Sequence, residues 1–171
     1  MKRIIFTLLI VFATSNMFAQ VTQKIEYWSN IEATLGVGMI LEFNTTQGIT
    51  YDDRFHLGLS TGYGTNTDQV HQTLGHKTSI HGFYIPLQLN ARVDLATNKT
   101  LVPYFAIKAG GQWFINQRKM AFNVYPVFGV QYKDIFVATG IQGTFHNKTL
   151  DEFGEPYARD YWCIFSVGYN F

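Results

Sequence analysis

The segment that most constrains the fold is residues 83–95, which read Phe-Tyr-Ile-Pro-Leu-Gln-Leu-Asn-Ala-Arg-Val-Asp-Leu. Every odd position is apolar, whereas most even positions carry Gln, Asn, Arg or Asp. Because successive strand side chains point to opposite sides of a sheet, this alternation predicts one long β-strand with an apolar face and a polar face. At roughly 3.3 Å per residue, such a strand is long enough to cross a bilayer at a tilt. The fold therefore depends on which face meets which solvent.

The same alternation recurs along the chain, and no 3.6-residue period accompanies it. Further two-faced segments lie at residues 55–64, 101–113, 122–133, 135–145 and 161–171. An even number of strands requires two more within residues 21–51, which we place near residues 30–38 and 40–51. A single strand over residues 31–43 is the alternative. The pattern predicts an all-β fold, an eight-stranded antiparallel up-and-down barrel.

Three prolines, Pro86, Pro103 and Pro126, fall inside the predicted strands. Proline cannot donate to a sheet ladder, and a closed barrel has no free edge to place it on. We therefore expect bulges or local bends at these positions.

The N-terminus is of a different kind. Lys2 and Arg3 precede an apolar stretch at residues 4–12, and Ala19 is a small residue suited to cleavage. The apolar stretch is too short for a spanning helix, which needs about 20 residues. We interpret residues 1–19 as a signal peptide and residues 20–171 as the barrel domain.

The composition of the mature chain excludes two classes of protein. Without residues 1–19 the chain holds 11 basic and 12 acidic residues, so it has no polybasic surface for nucleic acid. Cys163 is the only cysteine, so an internal disulfide framework is excluded.

The connections between predicted strands alternate in length. Residues 51–54, 96–99 and 133–134 are short, whereas residues 65–79, 115–121 and 146–159 are longer and more polar. Transmembrane barrels of the outer membrane have short periplasmic turns and longer external loops. With the C-terminus in the periplasm, the three long connections become external loops.

Side-chain size indicates which face is inside. The apolar face carries Leu, Ile, Phe, Tyr and Trp, whereas the other face is rich in Gly, Ser, Thr, Asn and Gln. Because the interior of an eight-stranded barrel is narrow, we predict that the apolar face meets outer-membrane lipid and the polar face lines the lumen. Aromatic residues on the apolar face collect near both strand ends, which is typical of the girdles of transmembrane barrels. A soluble ligand-binding β-barrel, with the apolar face inside, is the alternative.

By parity, a set of charged or titratable side chains points into the lumen: Glu32, Glu42, His56, Arg92, Asp94, Lys108 and Lys133. Charges inside a narrow barrel need partners, because unpaired burial is costly. We predict a static polar network that fills the lumen, with a gate or ligand site as the alternative. Arg92 and Asp94, two residues apart on one strand face, are the nearest local pair.

No catalytic or metal-binding pattern emerges. His71, His76 and His81 lie in or beside one long loop with Asp68, but their spacing matches no zinc-ligand motif. Ser60, His56 and Asp52 or Asp53 lie near one another in sequence and could form a catalytic constellation, but Ser60 and His56 would stand about 13 Å apart on an extended strand, and no nucleophile elbow is present. We predict no enzymatic activity, no cofactor and no metal.

Five short motifs occur in a characteristic order: Phe55-His-Leu-Gly-Leu-Ser-Thr-Gly62, Tyr84-Ile-Pro-Leu-Gln-Leu-Asn-Ala-Arg92, Pro103-Tyr-Phe-Ala-Ile-Lys-Ala-Gly-Gly111, Tyr125-Pro-Val-Phe-Gly-Val130 and the ending Val167-Gly-Tyr-Asn-Phe171. Together with the signal peptide, they resemble the small, porin-family-like outer-membrane β-barrel proteins of the Bacteroides group and their eight-stranded relatives. The resemblance implies an outer-membrane location. It also implies that the last strand, with Tyr169 and Phe171, resembles the signal read by the barrel-assembly machinery, and it implies no shared catalytic residues.

These observations favour a monomeric outer-membrane barrel with a mostly filled lumen. Its role would be structural or would involve a surface partner contacted through the loops at residues 65–79 and 146–159. A small porin or channel is the alternative, motivated by the Gly-rich polar face.

Overall fold

The computed structural model describes residues 25–37, 40–66, 82–96, 100–147 and 157–171. These residues form eight β-strands: β1 (Ile25–Gly36), β2 (Ile40–Tyr51), β3 (Phe55–Asn66), β4 (Gly82–Asp94), β5 (Leu101–Phe114), β6 (Lys119–Tyr132), β7 (Ile135–Asn147) and β8 (Tyr157–Asn170). Within these ranges, no helix is long and apolar enough to cross a membrane. The predicted signal peptide lies outside the described residues, as do residues 67–81 and 148–156 of the two long loops.

Each strand pairs antiparallel with its sequence neighbours, and β1 pairs with β8 to close the barrel. The predicted eight-stranded antiparallel fold is confirmed, including two strands between residues 21 and 51. β2 has the predicted bounds, but the predicted start of β1 near Asn30 was wrong. Strand β1 begins at Ile25, because residues 25–29 continue the ladder with residues 47–51 of β2.

The connections differ from the prediction at three places. The predicted loops at residues 65–79 and 146–159 were drawn too wide, since residues 65–66 belong to β3, residues 146–147 to β7 and residues 157–159 to β8. The turns at residues 52–54 and 133–134 are tight, and Asp52, Asp53 and Lys133 have positive φ angles of 56°, 49° and 52°. A loop over residues 115–121 was predicted, but Lys119 and Met120 belong to β6 and pair with Phe114 and Trp113 of β5. That prediction was wrong, and a short turn at residues 115–118 joins the two strands.

The two faces of the strands are cleanly separated in the closed barrel. Large apolar side chains point outward: Leu87 is 62% exposed, Leu59 60% and Phe128 50%. The alternating positions, such as Gln88, Ser60 and Thr46, are almost completely buried. The soluble alternative required the apolar face to line the interior, and the observed orientation contradicts it.

The prolines fit into the wall without bulges, so the expectation of bulges was wrong. Between β3 and β4 the pairing is interrupted beside Pro86 and resumes in the same register. Between β6 and β7 it is interrupted in the same way beside Pro126. Pro103 lies one residue beyond the last pair of β4 with β5, where its carbonyl oxygen accepts the Leu95 N–H at 2.8 Å. Each missing N–H therefore falls where the ladder has a local gap or ends.

Candidate functional site: the barrel lumen

An ion pair crosses the middle of the lumen. Lys108 Nζ on β5 donates to Glu32 Oε2 on β1 at 2.5 Å. The second carboxylate oxygen of Glu32 accepts the Thr34 hydroxyl at 3.1 Å, and Thr34 Oγ1 also lies 2.8 Å from Ser166 Oγ on β8. Lys108 and Glu32 are both more than 90% buried. Two charges removed from water in this way stabilise each other only as a pair, since either one alone would be an uncompensated buried charge.

A second carboxylate, Glu42, is held by neutral donors nearer the β1–β2 turn. Its Oε2 accepts the Tyr84 hydroxyl at 2.8 Å and the Tyr125 hydroxyl at 3.0 Å, while Oε1 accepts Asn44 Nδ2. Tyr125 in turn accepts hydrogen bonds from Gln112 and from its neighbour on β6, Asn123, at 3.0 Å and 3.2 Å. Glu42 therefore joins β2, β4, β5 and β6 across the lumen.

The opposite end of the lumen contains a chain of polar side chains that runs around the wall. Thr50 Oγ1 lies 2.8 Å from His56 Nδ1, and His56 Nε2 lies 3.2 Å from Asp94 Oδ2. The other carboxylate oxygen of Asp94 accepts Arg92 Nε at 2.8 Å. The guanidinium of Arg92 also covers the Tyr104 ring, with Cζ 3.9 Å from the ring centroid.

Gln131 continues this chain to the last strand. Its Oε1 accepts hydrogen bonds from Arg92 and, at 2.9 Å, from Asn170 Nδ2. The Asn170 side-chain oxygen accepts Trp28 Nε1 at 3.3 Å, and the Trp28 ring packs 5.1 Å from the His56 ring. The chain thus closes on itself. We call these residues the periplasmic ring, after the predicted orientation: Trp28, Thr50, His56, Arg92, Asp94, Gln131 and Asn170.

Six of the seven predicted lumen residues lie inside the barrel: Glu32, Glu42, His56, Arg92, Asp94 and Lys108. The prediction was wrong for Lys133. Strand β6 ends at Tyr132, and Lys133 lies exposed in the following turn, with Nζ 5.7 Å from the centroid of the Tyr132 ring. The alternation used for the prediction no longer applies once the chain turns. Gln131 was missed, because a neutral side chain gave no charge to single it out.

The lumen also contains large aromatic rings, which the size argument did not predict. Three of these rings fit because a glycine stands directly opposite on the neighbouring strand, in the pairs Tyr84–Gly64, Tyr104–Gly129 and Phe136–Gly168. A Cβ atom on any of these glycines would overlap the facing ring. A large ring on one strand thus occupies the space that the facing glycine leaves free on the next strand. Pairs of large and small residues fill the interior, rather than small residues alone.

We expect the substitution Gly168→Ala to destabilise the barrel by about 1 to 3 kcal/mol, since the added methyl group would overlap the Phe136 ring and lie 2.5 Å from the Ile31 carbonyl oxygen. Urea unfolding of refolded protein in detergent micelles measures this change. Gly111→Ala is the matched control, because its Cβ would meet only the flexible end of Met120 at 3.3 Å. Equal stability of the two variants would contradict the proposed fit.

Little free volume remains beside these rings. A cavity lined by Asn30, Asn90, Tyr104 and their neighbours measures about 10 Å³. That volume accommodates roughly one water molecule. The side-chain oxygens of Asn30 and Asn90, two residues that line this cavity, are buried without a protein partner, and ordered water is a usual partner of such groups.

The structure does not assemble the catalytic constellation considered from sequence. Ser60 hydrogen-bonds to Thr46 at 3.2 Å, His56 contacts Thr50 and Asp94, and Asp52 and Asp53 are exposed in a turn. Nor does any group of three or more His, Cys, Asp or Glu side chains in the described part of the chain have a geometry suited to a metal ion. His71, His76, His81 and Asp68 lie outside that part.

No protein-family model matches the chain, and no curated protein matches it. Among solved structures, the chain is similar to the N-terminal β-barrel domain of Pseudomonas aeruginosa OprF, with 16% identity, a TM-score of 0.48, and coverage of 85% of this chain and 96% of that domain. It is also similar to Neisserial surface protein A, with 10% identity, a TM-score of 0.44, and coverage of 88% of this chain and 100% of the other.

Proposed function

We propose that the protein is an outer-membrane β-barrel with a filled lumen, which acts as a structural or surface-interaction protein through the loops at residues 65–79 and 146–159. The observation that carries this proposal is the reversed polarity of the barrel. Leu87 and its outward neighbours are exposed, whereas the Lys108–Glu32 ion pair is buried. Exposed leucines are unfavourable in water but favourable against hydrocarbon, and charges are then less costly as pairs in the lumen than on the outer wall.

The ends of the barrel support a membrane location. At one end Tyr63 stacks on Phe83 with ring centroids 5.4 Å apart, and Phe145 meets Tyr161 edge-on at 6.4 Å. At the other end Tyr169 and Phe171 pack 5.2 Å apart. Aromatic residues at both ends of an outward apolar band are typical of transmembrane barrels. The strands, of 12 to 14 residues, exceed the roughly 9 to 11 that a bilayer requires.

Fractionation of cells that express the protein, followed by protease shaving of intact cells, tests the location and the loop exposure together. We expect the protein in the outer-membrane fraction, heat-modifiable on gels, with cleavage confined to the two long loops, which join β3 to β4 and β7 to β8. Recovery as a soluble periplasmic monomer would contradict the proposal.

The channel alternative receives no support from the lumen. Three sets of contacts cross the interior at different levels: Glu42 with Tyr84 and Tyr125, Lys108 with Glu32, and the periplasmic ring. We therefore expect purified wild-type protein to give no conductance steps in planar bilayers. Reproducible steps, absent from a heat-denatured control, would favour a channel instead.

Three finer features belong to the same proposal. The order of the five motifs supports membership in the Bacteroides group of small barrels. The final residues Tyr169 and Phe171, both outward and exposed, support recognition of β8 by the barrel-assembly machinery. The closed order of all eight strands supports a monomer, because β1 and β8 pair with each other over residues 30–36 and 164–170 rather than with a second copy.

A further inference from the structure

An apolar groove of about 550 Å³ runs along the outer wall near the turn at residues 52–54. Its volume falls within the range of about 300 to 1,000 Å³ that is usual for ligand sites. Nearly all of its lining is apolar and comes from outward side chains on β1 to β5, with His56 and Arg92 of the periplasmic ring also reaching it. A convex barrel wall is expected to carry ridges, so a groove of this size needs a local cause.

The strand register supplies that cause. Two rows of side chains cross β3, β4 and β5, and in each row the β4 residue is the smallest: Leu57–Ala91–Ile107 and Phe55–Val93–Phe105. Ala91 and Val93 form a floor, and the larger residues on both sides form walls. The groove therefore runs parallel to β4 and toward one end of the barrel.

The groove ends beside a turn that carries charges of both signs. Asp52, Asp53 and Arg54 are exposed. The turn is fixed over the end of the groove floor, because the Arg54 carbonyl oxygen accepts the Asp94 N–H at 2.8 Å. An apolar slot with a cation and two carboxylates at its mouth matches a molecule with an apolar chain and a headgroup that carries a phosphate and an ammonium.

We infer that this groove binds one zwitterionic phospholipid of the periplasmic leaflet. One acyl chain lies over Ala91 and Val93, the phosphate meets Arg54, and the ammonium meets Asp52 and Asp53. This inference goes beyond the proposed function and rests on it, since it requires the outer wall to be in a bilayer. It differs from general lipid contact, because it assigns one retained molecule and one headgroup class to one face.

Native mass spectrometry of protein reconstituted with equal amounts of phosphatidylethanolamine and phosphatidylglycerol, then released into mild detergent, tests the inference. We expect wild-type barrel to retain one phosphatidylethanolamine. The substitution Ala91→Phe fills the groove floor and is expected to lower the lipid-bound fraction at least fivefold. Arg54→Gln is expected to lower it severalfold, while the apolar slot stays intact.

Ala109→Phe is the matched control, since Ala109 is an outward alanine in the neighbouring row Leu89–Ala109–Val124, outside the groove. It should retain lipid like wild type. The inference would be overturned if the Ala91→Phe barrel retained as much phosphatidylethanolamine as wild type. It would also be overturned if the wild-type barrel retained phosphatidylglycerol and phosphatidylethanolamine equally. A dimer mass that is present for wild type and lost with Ala91→Phe would overturn it as well, because the groove would then bind a second copy of the chain. Heat-modifiability of each variant reports barrel formation separately. If the wild-type barrel were absent from the outer-membrane fraction, that result would count against the proposed function itself.

Discussion

The substitution Leu87→Lys is expected to cost about 2 to 4 kcal/mol of stability in the membrane and to reduce the amount of assembled barrel. Leu87 is 62% exposed on the outer wall and lies near the middle of β4. If that wall meets lipid, the substitution places an ammonium group near the bilayer midplane, where its desolvation is most costly. Urea titration of barrels folded into phospholipid vesicles measures the change in free energy of unfolding.

Leu101→Lys provides the matched control. Leu101 is also outward and 55% exposed, but it is the first residue of β5, at the end of the barrel. There a lysine extends to the interface, and the expected cost is only about 0 to 1 kcal/mol. Equal effects at the two positions would indicate that no depth gradient exists, which would contradict a membrane location for this wall.

Replacing Lys108 by Met is expected to destabilise the barrel by about 3 to 5 kcal/mol, the largest effect anticipated for a lumen residue. The change leaves Glu32 buried beside Thr34 without its cation. The loss comes mainly from the unpaired carboxylate, because methionine preserves most of the volume of the lysine stem.

A double-mutant cycle separates these contributions. The combination of Lys108→Met with Glu32→Gln removes both charges and should recover a large part of the lost stability. Lys119→Met is the surface control, since Lys119 is exposed at the start of β6, and it should change stability by no more than about 0.5 kcal/mol. If the single Lys108 variant is no less stable than the Lys119 variant, the ion pair is not a stabilising contact.

The sequence predicts best those features of the structure that follow the two-residue alternation of side chains along a strand. Alternation in residues 83–95 correctly separated Leu87 from Gln88, because every residue in a strand obeys the same geometry. The rule failed at its boundaries: Lys133 follows the last residue of β6, and Lys119 and Met120 extend β6 into a predicted loop. The position of a turn depends on how a strand pairs with the next one, and the alternation of residues within one strand carries no information about that pairing.

The sequence predicted which side chains point into the lumen, but not which of them contact each other across it. The Arg92–Asp94 pair lies within one strand and was anticipated. Two further hydrogen bonds, from Arg92 to Gln131 and from Asn170 to Gln131, join β4, β6 and β8. They depend on the register and stagger of the strands in the closed barrel. The same holds for Phe136 opposite Gly168, since each residue is unremarkable until the two strands are aligned.

The pairing of β1 with β8 is the least local contact in this barrel. Residues 30–36 meet residues 164–170, so the wall closes between the two ends of the described chain, and bringing these ends together costs more chain entropy than any other strand pairing. Glu32 lies in the same part of β1 that pairs with β8, and its ion pair with Lys108 joins that part to β5 across the lumen. The stretch of β1 that closes the wall is therefore also held from inside, by a contact that neither neighbouring strand supplies.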